Sequence, residues 1–171
     1  MACELSTGDE LLLTELVFNN FFTDLDEAQT AALLSVLVFN PPKSKDGKQP
    51  PRLRDELEGS LGEMKEMARK VGTVLKEAKV EIDVQEYVDK IQPGLAEVLY
   101  QWASGKSFRD VCDLTKEFEG TIIRCVRRLK ELLAQLSAAA KGIGAEELDK
   151  HFERTSAKIA RDIVFAPSLY L

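Results

Sequence analysis

Between residues 53 and 78 the apolar side chains Leu53, Leu57, Leu61, Met64, Ala68, Val71, Leu75 and Ala78 recur at intervals of four, four, three, four, three, four and three. Residues three and four apart share a helix face, so this spacing predicts a single apolar stripe on an otherwise charged rod. The helix is expected to run from just after Pro51 to about Lys79. Gly59, Gly62 and Gly72 each lower its intrinsic helicity by roughly 1 kcal/mol relative to alanine, so packing along the stripe must hold it together. A second stripe lies in EGTIIRCVRRLKELLAQ, residues 119–135, where Ile122, Val126, Leu129 and Leu133 repeat at 4-3-4 spacing. Arg124, Arg127, Arg128 and Lys130 place four positive charges around the rest of that helix.

The remaining segments carry helix start and stop signals. Thr7-x-x-Glu10 is a capping-box pattern, in which each side chain satisfies a free backbone N–H near the other, and Asn19–Asn20 end that helix. Asp24 or Asp26 caps a second helix through EAQTAALLSVLVF, which Asn40-Pro41-Pro42 terminates. The proline- and lysine-rich stretch that follows predicts a surface loop over residues 40–50. Asp83-x-x-Glu86 is another capping-box pattern, and PGLAEVLYQWASG opens with proline in the first turn and closes with glycine. SFRDVCDL forms a brief helix capped by Ser107. Thr115 then leads into the longer helix, which Gly142 and Gly144 end. AEELDKHFERTSAKIARDIVF supplies the last helix, and Pro167 leads an apolar tail, SLYL. There is no strand alternation, no internal repeat and no second hydrophobic unit in this pattern. It predicts an all-α helical bundle forming one domain over residues 1–171.

Composition narrows the function. A net charge of −6 argues against nucleic-acid binding by bulk electrostatics, so any such site must be local. No apolar run approaches the length of a membrane span, and no basic-then-apolar leader pattern opens the chain, so neither membrane nor signal peptide is expected. Three cysteines without CxxC spacing suit a reducing compartment.

Candidate chemistry is sparse. Glu147, Asp149, His151 and Glu153 invite a metal or acid–base reading, but they alternate around one helix, and a solvated face is the plainer expectation. Cys112 and Cys125 sit among apolar positions, as packing cysteines do. ASGKS, residues 103–107, lacks the earlier glycine of a phosphate loop, where Tyr100 stands instead, and reads as a helix-ending turn. The pair SFRDVCDL and EGTIIRCVRRLKELL has the order of a helix-turn-helix, although helical proteins are full of such pairs. On the second helix Arg124, Arg128, Glu131 and Gln135 form a polar stripe at 4-3-4 spacing, about a third of a turn from the apolar seam. Arg127 and Glu131 offer an ordinary i,i+4 ion pair as the alternative.

STGDELLLTELVFNNFF, EGTIIRCVRRLKELL, AAKGIG and RDIVFAPSLYL closely resemble, in the same order, the C-terminal helical (DSHCT) domain of exosome-associated DExH-box RNA helicases. That family comprises the helicase of the nuclear TRAMP complex and its cytoplasmic superkiller relative. The resemblance implies a module of a larger 3′–5′ helicase. ATP and magnesium would be held by RecA-like domains elsewhere, with no cofactor in this part. Implied partners are single-stranded RNA, the RecA-like and winged-helix domains, and exosome and TRAMP-type subunits. The implied location is the nucleus, or the cytoplasm for a superkiller relative. A long central ratchet helix that touches RNA bases falls on residues 119–141, and the family's base-contacting arginine and glutamate fall on Arg128 and Glu131, with Arg124 and Arg127 as neighbours. Phe39-Asn40-Pro41 replaces the family's Phe-Gln-Glu contact, and Pro167 replaces its usual alanine. Two other classes stay in view: a protein-interaction bundle docking through Phe21–Phe22 and the tail, and a helix-turn-helix DNA binder, which the acidic balance disfavours.

Overall fold

The computed structural model describes residues 7–39 and 51–161. Their regular structure is helical throughout: α1 (Thr7–Phe18), α2 (Glu27–Val38), α3 (Asp55–Glu77), α4 (Val84–Asp89), α5 (Ala96–Ala103), α6 (Phe108–Cys112), α7 (Glu119–Gly142) and α8 (Glu146–Ile159). Among them no helix is long and apolar enough to cross a membrane. The loop at 40–50, including Asn40-Pro41, and the tail with Pro167 and SLYL lie outside the described residues, as does the Thr7 side chain on which the first capping-box reading rests.

The helix at the centre is α2. Ten of its twelve residues are buried, and it packs against α3, α5, α7 and α8. A helix apolar on every side belongs inside a core. The expectation of a long central helix thus divides between two elements: α7, with 24 residues, is the longest described helix, but it lies on α8 and α2 rather than at the centre. Of the two candidate caps, Asp26 is the one used. Its carboxylate accepts from Gln29 N at 2.8 Å, and the Gln29 amide oxygen accepts from Asp26 N at 2.9 Å.

Helix α3 buries Leu57, Leu61, Met64, Ala68, Val71 and Leu75 as the spacing predicts, mainly against α1 and α4. It starts at Asp55, later than expected. Leu53 is buried but precedes the helix, and Ala78, at the cap, is exposed. The N-cap residue Arg54 is extended and held from afar. Its guanidinium bonds both carboxylate oxygens of buried Glu97 on α5 and lies 3.5 Å from the centre of the Tyr100 ring. Gly72 lets α3 and α4 approach closely: a Cβ there would lie 3.1 Å from Val84 Cγ1, tighter than an ordinary contact.

Helix α5 begins at Ala96, so Pro93 precedes it instead of occupying its first turn; the Pro93 carbonyl accepts from Ala96 N at 2.8 Å. At its other end Gly105 adopts φ 101°, with Gly105 N bonded to Trp102 O and Lys106 N to Gln101 O. This is a Schellman termination, and ASGKS is therefore a helix end. Phe21 and Phe22 are buried, stacked edge-on at 5.3 Å, and Phe22 meets Phe152 of α8 edge-on at the same distance. They are core residues rather than a docking surface.

Candidate nucleic-acid interface on α7

Helix α7 starts at Glu119 after Phe118, whose carbonyl accepts from Thr121 N and Ile122 N. Thr115 does not begin it: that hydroxyl accepts from Glu117 N at 3.2 Å and shapes the preceding turn. The far end closes at Gly144, φ 75°, with Gly144 N on Lys141 O and Ala145 N on Ala140 O. The brief helix α6 packs on α5, where Phe108 meets Trp102 edge-on at 6.0 Å, so α6 and α7 are not the packed pair that a helix-turn-helix requires.

Ile122, Ile123, Cys125, Val126, Leu129, Leu132, Leu133, Leu136, Ser137 and Ala140 form the buried face of α7, against α8 and α2. Arg124, Arg128, Glu131 and Gln135 are all exposed. At about 100° per residue their mean direction lies roughly 160° from that of Ile122, Val126, Leu129 and Leu133. The stripe is nearly opposite the seam, not a third of a turn from it. Cys125, Leu132 and Leu136 broaden the buried face on one side and leave the polar four on the solvent side.

Among the described residues no hydrogen bond or ion pair involves Arg128 or Glu131, so the Arg127–Glu131 pair does not form. Arg124 bonds its own helix, Nε to Gly120 O at 3.3 Å. Arg127 is half-buried and has an interaction of its own, which sets it apart from the exposed stripe. The structure therefore brings together Arg124, Arg128, Glu131 and Gln135. Burial pushes the Cys125 thiol up to about 12, against a smaller opposing effect of the Arg128 charge, and also raises Cys112, with Glu119 and Asp113 adding to it. Both thiols stay protonated near neutrality, which suits packing rather than nucleophilic roles.

The acidic group on α8 behaves differently from the solvated face that its sequence implied. Asp149 and His151 are buried. Asp149 accepts from the Ser137 hydroxyl of α7 and lies 3.7 Å from Lys141 Nζ. His151 Nε2 meets the Thr30 hydroxyl of α2 at 2.8 Å. Burial holds His151 below its ordinary value, although Glu27 and Asp26 pull it upward. Glu147 and Glu153 pair with Lys150 and Lys141, each at 3.2 Å. The four do not converge, and among the described residues no cluster is built to hold a metal. Asp149 and Glu153 tie α8 to α7, and His151 ties it to α2, whereas Glu147 pairs only within α8. A cleft of about 760 Å³, which Glu147 and His151 help to line, opens between the end of α1 and the α7–α8 turn, where Phe18 and Ile143 are exposed.

These features define a class: an all-α bundle that presents one long helix with an exposed polar stripe, in which Arg128, Glu131 and Gln135 have no side-chain partner among the described residues. The chain belongs to the DSHCT (NUC185) domain family, which it matches over residues 1–166. It is 48% identical over 171 residues to the exosome RNA helicase MTR4 of Homo sapiens, a match covering all of this chain and 16% of that protein. It is 50% identical over 171 residues to the ATP-dependent RNA helicase mtr4 of Schizosaccharomyces pombe, again over the whole chain and 15% of the relative. It is 47% identical to the DExH-box ATP-dependent RNA helicase DExH10 of Arabidopsis thaliana, over 99% of this chain and 17% of the relative. The chain thus spans only 15–17% of the length of these relatives.

Proposed function

We propose that this chain is the C-terminal, RNA-contacting module of an ATP-dependent 3′–5′ RNA helicase that serves as an exosome cofactor in RNA processing and decay. Helix α7 acts as the ratchet helix, with Arg128 and Glu131 touching the single strand and Arg124 beside them. ATP and magnesium bind in RecA-like domains outside this chain. Those domains, a winged-helix domain and exosome or TRAMP-type subunits are its partners, in the nucleus, or in the cytoplasm for a superkiller-type parent.

The observation that carries this reading is the exposed face of α7, where an arginine and a glutamate stand one turn apart without partners among the described residues. A translocating motor needs contacts that hold a strand without reading its sequence. A guanidinium stacks on any base and pairs with any phosphate. The neighbouring carboxylate accepts from base amino groups and repels phosphate, limiting the affinity so that the strand is released each cycle. The test is duplex unwinding and RNA-stimulated ATP hydrolysis by the intact helicase carrying Arg128→Ala or Glu131→Ala. Unwinding should fall in both variants, and wild-type unwinding in both refutes the reading. The second reading, a protein-interaction bundle without RNA contact, draws on exposed Phe18 and Ile143 beside the cleft. It predicts that Phe18→Ala impairs the helicase and Arg128→Ala does not.

A further inference from the structure

We propose that Gln135 is a third point of contact for single-stranded RNA on α7, one turn beyond Glu131, and that the strand runs along the helix axis there. The proposal rests on the reading of α7 as the RNA-facing helix. Gln135 is exposed on the same stripe as Arg128 and Glu131. It stands at i+4 from Glu131, a spacing at which an amide often bonds a carboxylate, yet among the described residues no hydrogen bond engages either side chain. Apart from Glu131, its exposed neighbours on α7 are Ala134, Ala138 and Ala139, none of which reaches far enough to screen the amide. Glu131 stands about 4.5 Å and Gln135 about 10.5 Å beyond Arg128 along the axis, at 1.5 Å per residue. That span accommodates about three stacked nucleotides at about 3.4 Å each.

The amide suits this position chemically. It offers one acceptor oxygen and two N–H donors, and the edge of every base presents groups that match one or the other. Gln135 therefore holds whichever base arrives, as a sliding strand requires. Being neutral, it releases no counterions. Its contribution is distinguishable on that ground from the contribution of an arginine on a phosphate.

The experiment is anisotropy titration of the intact helicase with labelled ten-nucleotide oligouridylate and oligoadenylate at several salt concentrations. Gln135→Ala should weaken binding of both by about three- to tenfold, the effect of losing one or two hydrogen bonds, with the salt slope unchanged. Arg128→Ala should weaken binding and reduce the slope by about 0.7, and Gln135→Arg should restore affinity and steepen the slope by about the same amount. Alanine is the better helix former at this exposed site, so weaker binding by Gln135→Ala does not stem from a melted helix. Wild-type affinity in Gln135→Ala beside weakened Arg128→Ala overturns the Gln135 contact and leaves the reading of α7 standing. Wild-type affinity in both overturns that reading and the proposal with it. A loss confined to one oligonucleotide overturns the sequence-tolerant contact. Normal RNA binding with a lowered melting temperature assigns Gln135 to docking between domains and overturns the RNA role.

Discussion

Replacing Phe152 by alanine tests how α8, the helix packed on α7, is seated in the core. Phe152 is 0% exposed on α8, the helix that carries α7 on one flank and α2 on another. Its ring meets Phe22 edge-on at 5.3 Å, with the planes at 75°. Core phenylalanine-to-alanine changes cost about 3–5 kcal/mol, through lost transfer free energy and the cavity left behind. Of that, about 1 kcal/mol belongs to the edge-on aromatic pair. For a domain of this size each kcal/mol lowers the melting temperature by about 2–4 °C, so the expected fall is between roughly 6 and 20 °C. Thermal unfolding followed by far-ultraviolet circular dichroism measures it. Val74→Ala, at a site 61% exposed on α3, is the control and should stay within about 0.5 kcal/mol of the parent. A fall for Phe152→Ala no larger than the control's would refute the placement of Phe152 in the core, where α8 meets the α1–α2 connection.

Three further outcomes follow from particular contacts. Burial keeps the His151 pKa below 6.5, so protonation favours the unfolded chain. The stability it contributes is complete above pH 6.5 and is lost as pH falls through the folded pKa, by at most about 1.4 kcal/mol per pH unit. Urea unfolding across that window should show a shallower pH dependence in His151→Gln, whereas an identical dependence contradicts the buried neutral imidazole. Gly144→Ala should cost about 1–2 kcal/mol through the positive φ alone, since a Cβ there meets nothing within 4 Å; chemical denaturation measures it. Asp26→Ala should cost about 1 kcal/mol by removing the cap of the central helix, and the same titration reads it.

The features legible in the sequence are those with local causes. Periodicity located the seam of α7, and Gly105, Gly144 and Asp26 marked ends that the backbone then used. What the pattern misplaced depends on distant partners. Leu53 fits the α3 spacing, yet the helix waits until Asp55 because Arg54 is drawn to Glu97, 43 residues away. Asp149 and His151 looked solvent-facing on an acidic helix, but Ser137 and Thr30, 12 and 121 residues away, take them inside. The centrality of α2 had a signal in its all-round apolarity, which spacing alone does not weigh. The polar stripe was visible at 4-3-4 spacing, but its direction depended on the width of the buried face, which only packing against α8 and α2 defines.

The central claim is that α7 offers its exposed face to single-stranded RNA through Arg128. The most direct measurement is a fluorescence titration of the 171-residue chain itself with a short single-stranded RNA, at low and at moderate salt, beside its Arg128→Ala variant. The account predicts binding that weakens with salt and falls again, with a smaller salt slope, when Arg128 is removed. Binding equal in the two proteins, or a preference for duplex DNA, would contradict it.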